Sequence, residues 1–286
     1  MSKIARIALF ILLAAAAASA QEVSFKILGG LTRIQGDDYN RVAAGTMDFL
    51  RDTTSVLSGE FGRFGGGYNI QGEIVTHWGR RIAVGLGGGV YEMDHLATVV
   101  SSAAGADGSV VTETAMLGKM SVVPFYLNFY YRFRLTPRAE LDVFAGPVFG
   151  IAQLTSERTA TVAAAGTVAA ESFRSSQIAL GGQAGLGLSF ELWRGVHVVA
   201  DGFYRSAKVS NFTGNWALIT TTPSGSTSQA SDAYFYWYYD YTQGRTYPRT
   251  GFFNSSGPSG EGISGVRKAS IDLSGLTFTA GVKLVF

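Results

Sequence analysis

Eight stretches of this chain place apolar residues at every second position, and none of the eight apolar faces carries a charge. The stretches cover 23–32, 66–78, 82–91, 123–134, 140–149, 178–191, 196–205 and 278–286. A period of two is the signature of a β-strand with one face in an apolar medium. The opposite faces carry Lys26, Arg63, Glu73, Arg132, Arg134, Glu140, Asp142, Glu191, Asp201, Arg205 and Lys283. A water-soluble barrel would turn its apolar side inward, and six bases with five acids do not make such a core. They suit a narrow interior in which charges pair, with the apolar faces turned to lipid, where one Arg or Lys at mid-depth costs about 2–4 kcal/mol.

The start of the chain reads as a separate piece. Lys3 and Arg6 precede an apolar run from Ile7 to Ala18, followed by Ser19 and Ala20. A basic start, a short apolar middle and small residues before a cut are the parts of a secretory signal peptide, expected to span 1–20. The run is too short for a membrane helix, which needs about 20 apolar residues. The whole chain has 23 basic and 21 acidic residues, so losing Lys3 and Arg6 leaves 21 of each. That balance argues against a nucleic-acid partner. The absence of cysteine excludes disulfides, thiolate metal sites and a lipidated cysteine. Beyond residue 21 no apolar run is long enough for a second helical span, so a membrane form must be a closed barrel, whose strands satisfy one another's backbone.

The connections set an orientation. Those at Gly79-Arg80-Arg81, Thr136-Pro137-Arg138 and Trp193-Arg194-Gly195 are tight, whereas 35–62, 92–118, 152–176 and 206–268 read as long loops. Short periplasmic turns and long extracellular loops mark an outer-membrane barrel. The expectation is an all-β, antiparallel, up-and-down transmembrane barrel of eight strands over 21–286, with ten as the alternative. Aromatics gather at the short-turn ends (Phe25, Trp78, Tyr131, Phe133, Phe190, Trp193) and again toward the long loops (Tyr68, Phe149, Tyr204), as interfacial girdles do.

An eight-stranded barrel is wide enough only for side chains to fill. Tyr126 and Tyr130 point inward beside Gly85, Gly87 and Gly89 on one neighbour and Gly146 and Gly150 on the other, which reads as rings lying over glycine floors. The lumen charge cluster (Lys26, Glu73, Arg132, Arg134, Glu140, Asp142, Glu191, Asp201, Arg205, Lys283) is expected to pair and plug the bore. Arg132 should meet Asp142 or Glu140, depending on register. Pro124 and Pro147 lack the N–H a ladder needs, so a bulge or a loosened ladder is expected there.

The final stretch, Leu276 to Phe286, resembles the terminal strand of bacterial outer-membrane proteins. The segments 123–128 and 141–150 resemble the small OmpA/OmpX-type barrel superfamily. That resemblance implies a bacterial outer-membrane location, no peptidoglycan-binding domain after Phe286, and recognition of Phe286 by the barrel-assembly machinery. It implies little about activity.

No catalytic or metal-binding motif stands out, and no cofactor is expected. His77 and His197 face inward on separate strands, and His95 beside Ser101 and Ser102 lacks a nucleophile motif. The most individual feature is Tyr234, Phe235, Tyr236, Trp237, Tyr238, Tyr239, Asp240 and Tyr241, seven aromatics in eight residues. It reads as a sticky surface for an extracellular ligand, or as a strand packing over the barrel mouth. A third reading makes 212–220 and 234–241 a further membrane hairpin turning at Ser224–Ser231. The functional expectation is a monomeric, non-enzymatic envelope or surface-interaction protein. The alternatives are a narrow solute pore and, more remotely, a lipid-modifying enzyme.

Overall fold

A computed structural model describes residues 22–61, 65–105 and 108–286. The signal-peptide segment and Arg63 lie outside the described residues. The strands are β1 (Glu22–Ile34), β2 (Ser55–Gly59), β3 (Gly66–Trp78), β4 (Ile82–Gly105), β5 (Gly108–Arg134), β6 (Ala139–Val162), β7 (Thr167–Trp193), β8 (Val196–Ser210), β9 (Thr213–Thr222), β10 (Gly225–Thr242), β11 (Arg245–Phe253), β12 (Ile263–Lys268), β13 (Ser270–Asp272) and β14 (Gly275–Val285), joined among the described residues by the α-helix α1 (Asp37–Thr53) and a short 3-10 turn at Ala163–Ala165. All pairings are antiparallel. β1, β3, β4, β5, β6, β7, β8 and β14 pair in that order, and β14 returns to β1, closing a ring.

The ring is uneven in height. A strand needs about 9–11 residues to cross a bilayer, and β4, β5, β6 and β7 run 24, 27, 24 and 27 residues. Their upper halves therefore exceed what a bilayer crossing uses, and the sequence changes character where that excess begins. Along β4 the outward positions Ile82, Val84, Leu86, Gly88 and Val90 give way to Glu92 and Asp94, while the inward positions pass from Ala83 and Gly85 to buried Tyr91, Met93 and Val99. The same exchange occurs on β7, where outward Leu186, Leu180 and Ile178 lead to Ser176 and Arg174 and inward Gln183 leads to Phe173. Strand geometry is unchanged, but the outward positions turn from apolar to polar and the inward ones become a buried apolar core.

That switch corrects the expected loops at 92–118 and 152–176, which are the upper parts of the β4–β5 and β6–β7 hairpins. The 35–62 connection holds α1 and β2, and 206–268 holds β9 to β12. The 212–220/234–241 hairpin is not the one formed. β9 pairs with residues 225–234 of β10, turning at 223–224, and lies beside the upper part of β7 at 168–175.

The prolines loosen the ladder without shifting register. Between β5 and β6 the pairing runs to Tyr126↔Val148 and resumes at Phe129↔Ala145, skipping the rung at Pro147. Between β4 and β5 it skips from Gly88↔Phe125 to Tyr91↔Val122, across Pro124.

The upper storey is closed by packing. Tyr39 and Val42 of α1, Phe235 and Trp237 of β10 and Ile271 of β13 share one buried cluster with Met93, Met120, Leu154 and Phe173 of the strand walls. Gly45 brings α1 against β11, where an added Cβ would collide with the Pro248 ring. Alanine in mid-helix normally gains about 1 kcal/mol over glycine. At this position the sign reverses. Gly45→Ala is expected to destabilise the docked helix, read as faster hydrogen exchange over 37–53 with the barrel amides unchanged. Slower exchange there would refute the contact.

Candidate functional site: the lumen and its cap

The lower storey is filled by polar side chains bonded to one another. Lys26, 1% exposed, lies 3.6 Å from Asp201 and 4.6 Å from the Tyr130 ring. The Tyr130 hydroxyl donates to Glu73 Oε2 at 2.6 Å, and the Asn128 amide donates to Glu73 Oε1 at 3.1 Å. Gln183 Nε2 donates to Asn128 at 3.0 Å, and Arg205 donates to Gln183 Oε1 while its guanidinium covers the Tyr91 ring at 5.0 Å. Glycines make room for these groups. A Cβ on Gly87 would collide with the Tyr126 ring, and one on Gly85 with the Glu73 carboxylate. Gly89 and Gly146 instead admit neighbouring backbone, Ile70 and Leu127 respectively.

A second group closes the short-turn end. Arg132 Nε sits 3.3 Å from both Glu140 and Asp142, and its Nη2 is 3.0 Å from His77 Nδ1. The register pairs Arg132 with Asp142, and Lys283 Nζ reaches Glu140 at 3.2 Å. Two members of the expected cluster fall elsewhere. Arg134 is exposed at the rim and donates to the Pro137 carbonyl, and Glu191 is half-buried in a rim depression beside His197. Both stand at the short-turn ends of their strands, Arg134 on the last β5–β6 rung opposite Glu140 and Glu191 opposite His197.

The cap is held by α1 at both ends. Asp38 is fully buried and takes both guanidinium nitrogens of Arg267, at 2.5 and 2.6 Å, together with the Ser270 N–H at 2.9 Å. Burial pushes this carboxyl up, but Arg267 and Ser270 outweigh it and hold it below the ordinary 3.8. At the other end Asp52 accepts from the Tyr247 hydroxyl at 2.7 Å and from Arg245 at 2.8 Å, and both contacts lower its pKa. Arg249 lies 3.8 Å over the Phe49 ring. Sequence reasoning misses these residues. The signal is present in Asp37 and Asp38 ahead of Tyr39, Val42, Ala43, Met47 and Leu50, the acidic first turn and i, i+3, i+4 spacing of an amphipathic helix.

The aromatic run divides between core and surface. Phe235, Tyr236 and Trp237 are buried, Tyr234 and Tyr238 are half-buried, and Tyr239 and Tyr241 are 39% and 58% exposed. The exposed flank of the cap has a depression of about 650 Å³ whose wall includes Trp216, Tyr238, Phe253 and Ile263. At the opposite end of the molecule Phe286 is 80% exposed and anchored by its N–H to the Val23 carbonyl at 2.9 Å.

Three solved structures resemble the chain along most of its length. A major outer membrane protein from Thermus thermophilus is 13% identical, with 92% of this chain and 99% of that one covered and a TM-score of 0.36. The outer membrane protein OprG from Pseudomonas aeruginosa is 12% identical, covering 92% and 95%, at a TM-score of 0.36. The outer membrane protease OmpT from Escherichia coli is 12% identical, covering 94% and 98%, at a TM-score of 0.41. No curated protein matches the chain at a significant level. A closed antiparallel ring, apolar outside and polar within, agrees with the profile of the outer membrane protein beta-barrel domain, which matches residues 5–234. The chain belongs to that family, and its place is the bacterial outer membrane.

Proposed function

We propose that eight strands cross the membrane and that the barrel serves as a sealed, monomeric anchor for a surface-interaction storey, without catalysis or transport. One observation carries this reading: two different seals stand one above the other. The bore is filled by the Lys26, Glu73, Tyr130 and Asp201 network, and the mouth above it by the apolar packing of α1, β10 and β13. A pore would need to lose both. The upper β4–β7 strands spend a dozen or more residues each on structure the bilayer does not require, which fits a protein whose working surface is outside. The depression beside Trp216 is where an extracellular ligand would sit, with Tyr239 and Tyr241 displayed near it. Location of β9 and β10 beside the part of β7 that faces water supports eight crossing strands over ten.

Reconstituted into planar bilayers, the full chain is expected to show no steady open-channel conductance. The same holds for a variant with α1 unclamped, because the bore below stays filled. Stepwise, sustained conductance of the native protein would overturn the sealed-anchor reading in favour of the narrow pore.

A further inference from the structure

The short turns carry cations that the protein leaves unneutralised. Arg80, Arg81, Arg134, Arg138 and Arg194 are all exposed at the periplasmic rim, and among the described residues none of the five makes an ion pair. At the extracellular end most cations are paired, with Arg33, Arg158 and Lys268 the exceptions among the described residues. Arg41, Lys119, Arg174, Lys208, Arg245 and Arg267 each sit within 4.0 Å of a carboxylate. Of the rim acids, Glu22 and Glu140 already face Arg132 and Lys283, and Glu191, in the neighbouring depression with Arg134 and Arg138, comes within ion-pair distance of neither.

Three of these arginines, Arg80, Arg81 and Arg134, border one depression of about 810 Å³; Tyr131 and Phe133 line its outer side, and Glu22, Arg132 and Glu140 its side toward the bore, where both carboxylates face Arg132. Those rings stand on the lipid-facing side of β5 and touch edge to face, 4.9 Å between centroids. The Arg81 guanidinium donates to the Tyr131 hydroxyl at 3.2 Å, which draws a cation over the lip of the barrel onto its outer face. The cleft therefore opens onto the bilayer at headgroup depth. Its occupant must meet apolar rings at one end and guanidinium groups at the other. A phosphodiester on an acyl-chain lipid has that form, and guanidinium forks match its oxygens.

We propose that the cleft formed by Arg80, Arg81 and Arg134 with Tyr131 and Phe133 binds the phosphate headgroup of an anionic phospholipid in the periplasmic leaflet. The site fixes the depth and tilt of the barrel from below, independently of whatever the upper storey engages.

The test uses the full chain folded in vesicles holding equal amounts of phosphatidylglycerol and phosphatidylcholine, followed by extraction and native mass spectrometry of the retained lipid. Phosphatidylglycerol should be retained with at least about fivefold preference, the effect of roughly one surface cation on an anionic lipid. The preference should vanish in R80Q/R81Q/R134Q and persist in R33Q/R158Q, which removes two cations from other strands. Arg81→Lys, which keeps the charge and loses the fork, should weaken it partially, so a misfolded triple variant, detected by heat-shifted gel mobility, does not end the test. Equal retention of the two lipids, or an unaltered preference in a folded triple variant, overturns the proposal. So does competition by inorganic phosphate as effective as that by the lipid, which would make this a free-phosphate site. Arginine-dependent binding to purified peptidoglycan without lipid preference would assign the rim to the cell wall and overturn it as well.

Discussion

Asp38→Ala is expected to release α1 from the barrel mouth while leaving the membrane ring folded. The carboxylate is fully buried and serves three donors at once, the two Arg267 nitrogens and the Ser270 N–H. Hydrogen bonds to charged groups contribute about 1.5–3 kcal/mol each, net of the exchange with water, and the Ser270 N–H left without its acceptor adds a desolvation cost. The Arg267 side chain is part-exposed and recovers water when the carboxylate is removed, so the three bonds do not sum; a local loss of about 3 kcal/mol follows, on the order of a hundredfold increase in the open population of the helix. Hydrogen exchange over 37–53 should speed up accordingly, and the segment should become protease-sensitive. The ring strands should keep their protection. Asp38→Asn retains shape and some bonds and should lose less. Acid should mimic the alanine variant. The folded pKa of Asp38 lies below its ordinary 3.8, so its stabilisation is complete above that value and fades as pH falls through 3.8 and then through the folded pKa. Asp52 has the same direction, through Tyr247 first and then Arg245, so both clamps loosen together in the acid range. A cap whose protection factors, each taken against the intrinsic exchange rate at its own pH, are no lower at pH 3 than at pH 7 would mean that the two carboxylates do not hold it.

The sequence made the lower storey legible and largely concealed the upper one, for a physical reason. Lipid imposes a one-sided rule on every crossing strand, so Phe125, Leu127, Phe129, Tyr131 and Phe133 announce their face without any knowledge of the fold. The lumen followed by complement, and Lys26, Glu73, Asp201 and Tyr130 stand together as their parity required. Above Val90 the rule reverses. Glu92 turns out to water and Met93 in to the core, so the alternation persists while its meaning inverts, and a reading that follows one apolar face loses the strand there. The cap depends on partners far apart in the chain. Asp38 and Arg267 are separated by 229 positions, and Gly45 finds Pro248 through shape alone. Composition could announce neither. The aromatic run shows the same limit: three consecutive rings, Phe235, Tyr236 and Trp237, are buried while Tyr239 and Tyr241 are exposed, and seven similar rings carry no label for that.

The largest effect within the membrane should come from Lys26, and its sign depends on what is removed with it. Lys26 and Asp201 are 1% and 5% exposed, face each other at 3.6 Å, and lie where water cannot replace either partner. Lys26→Met alone strands the Asp201 carboxylate and should cost about 3–5 kcal/mol of unfolding free energy in urea titrations of the vesicle-embedded protein. Asp201→Leu alone should cost less, because Lys26 still faces Glu73, its register partner on β3. The double variant should recover most of the Lys26→Met cost, since both desolvation costs disappear with the pair. Glu73 keeps the Tyr130 hydroxyl and the Asn128 amide but loses the cation it faced, so the recovery is incomplete. A double variant as unstable as the sum of the two singles would mean that the charges act separately. The plug would then be a crowd of tolerated polar groups, and the reason for keeping ions in so narrow a bore would have to be sought in conduction after all. Coupling of the expected size instead marks a pair whose members tolerate burial only because of each other.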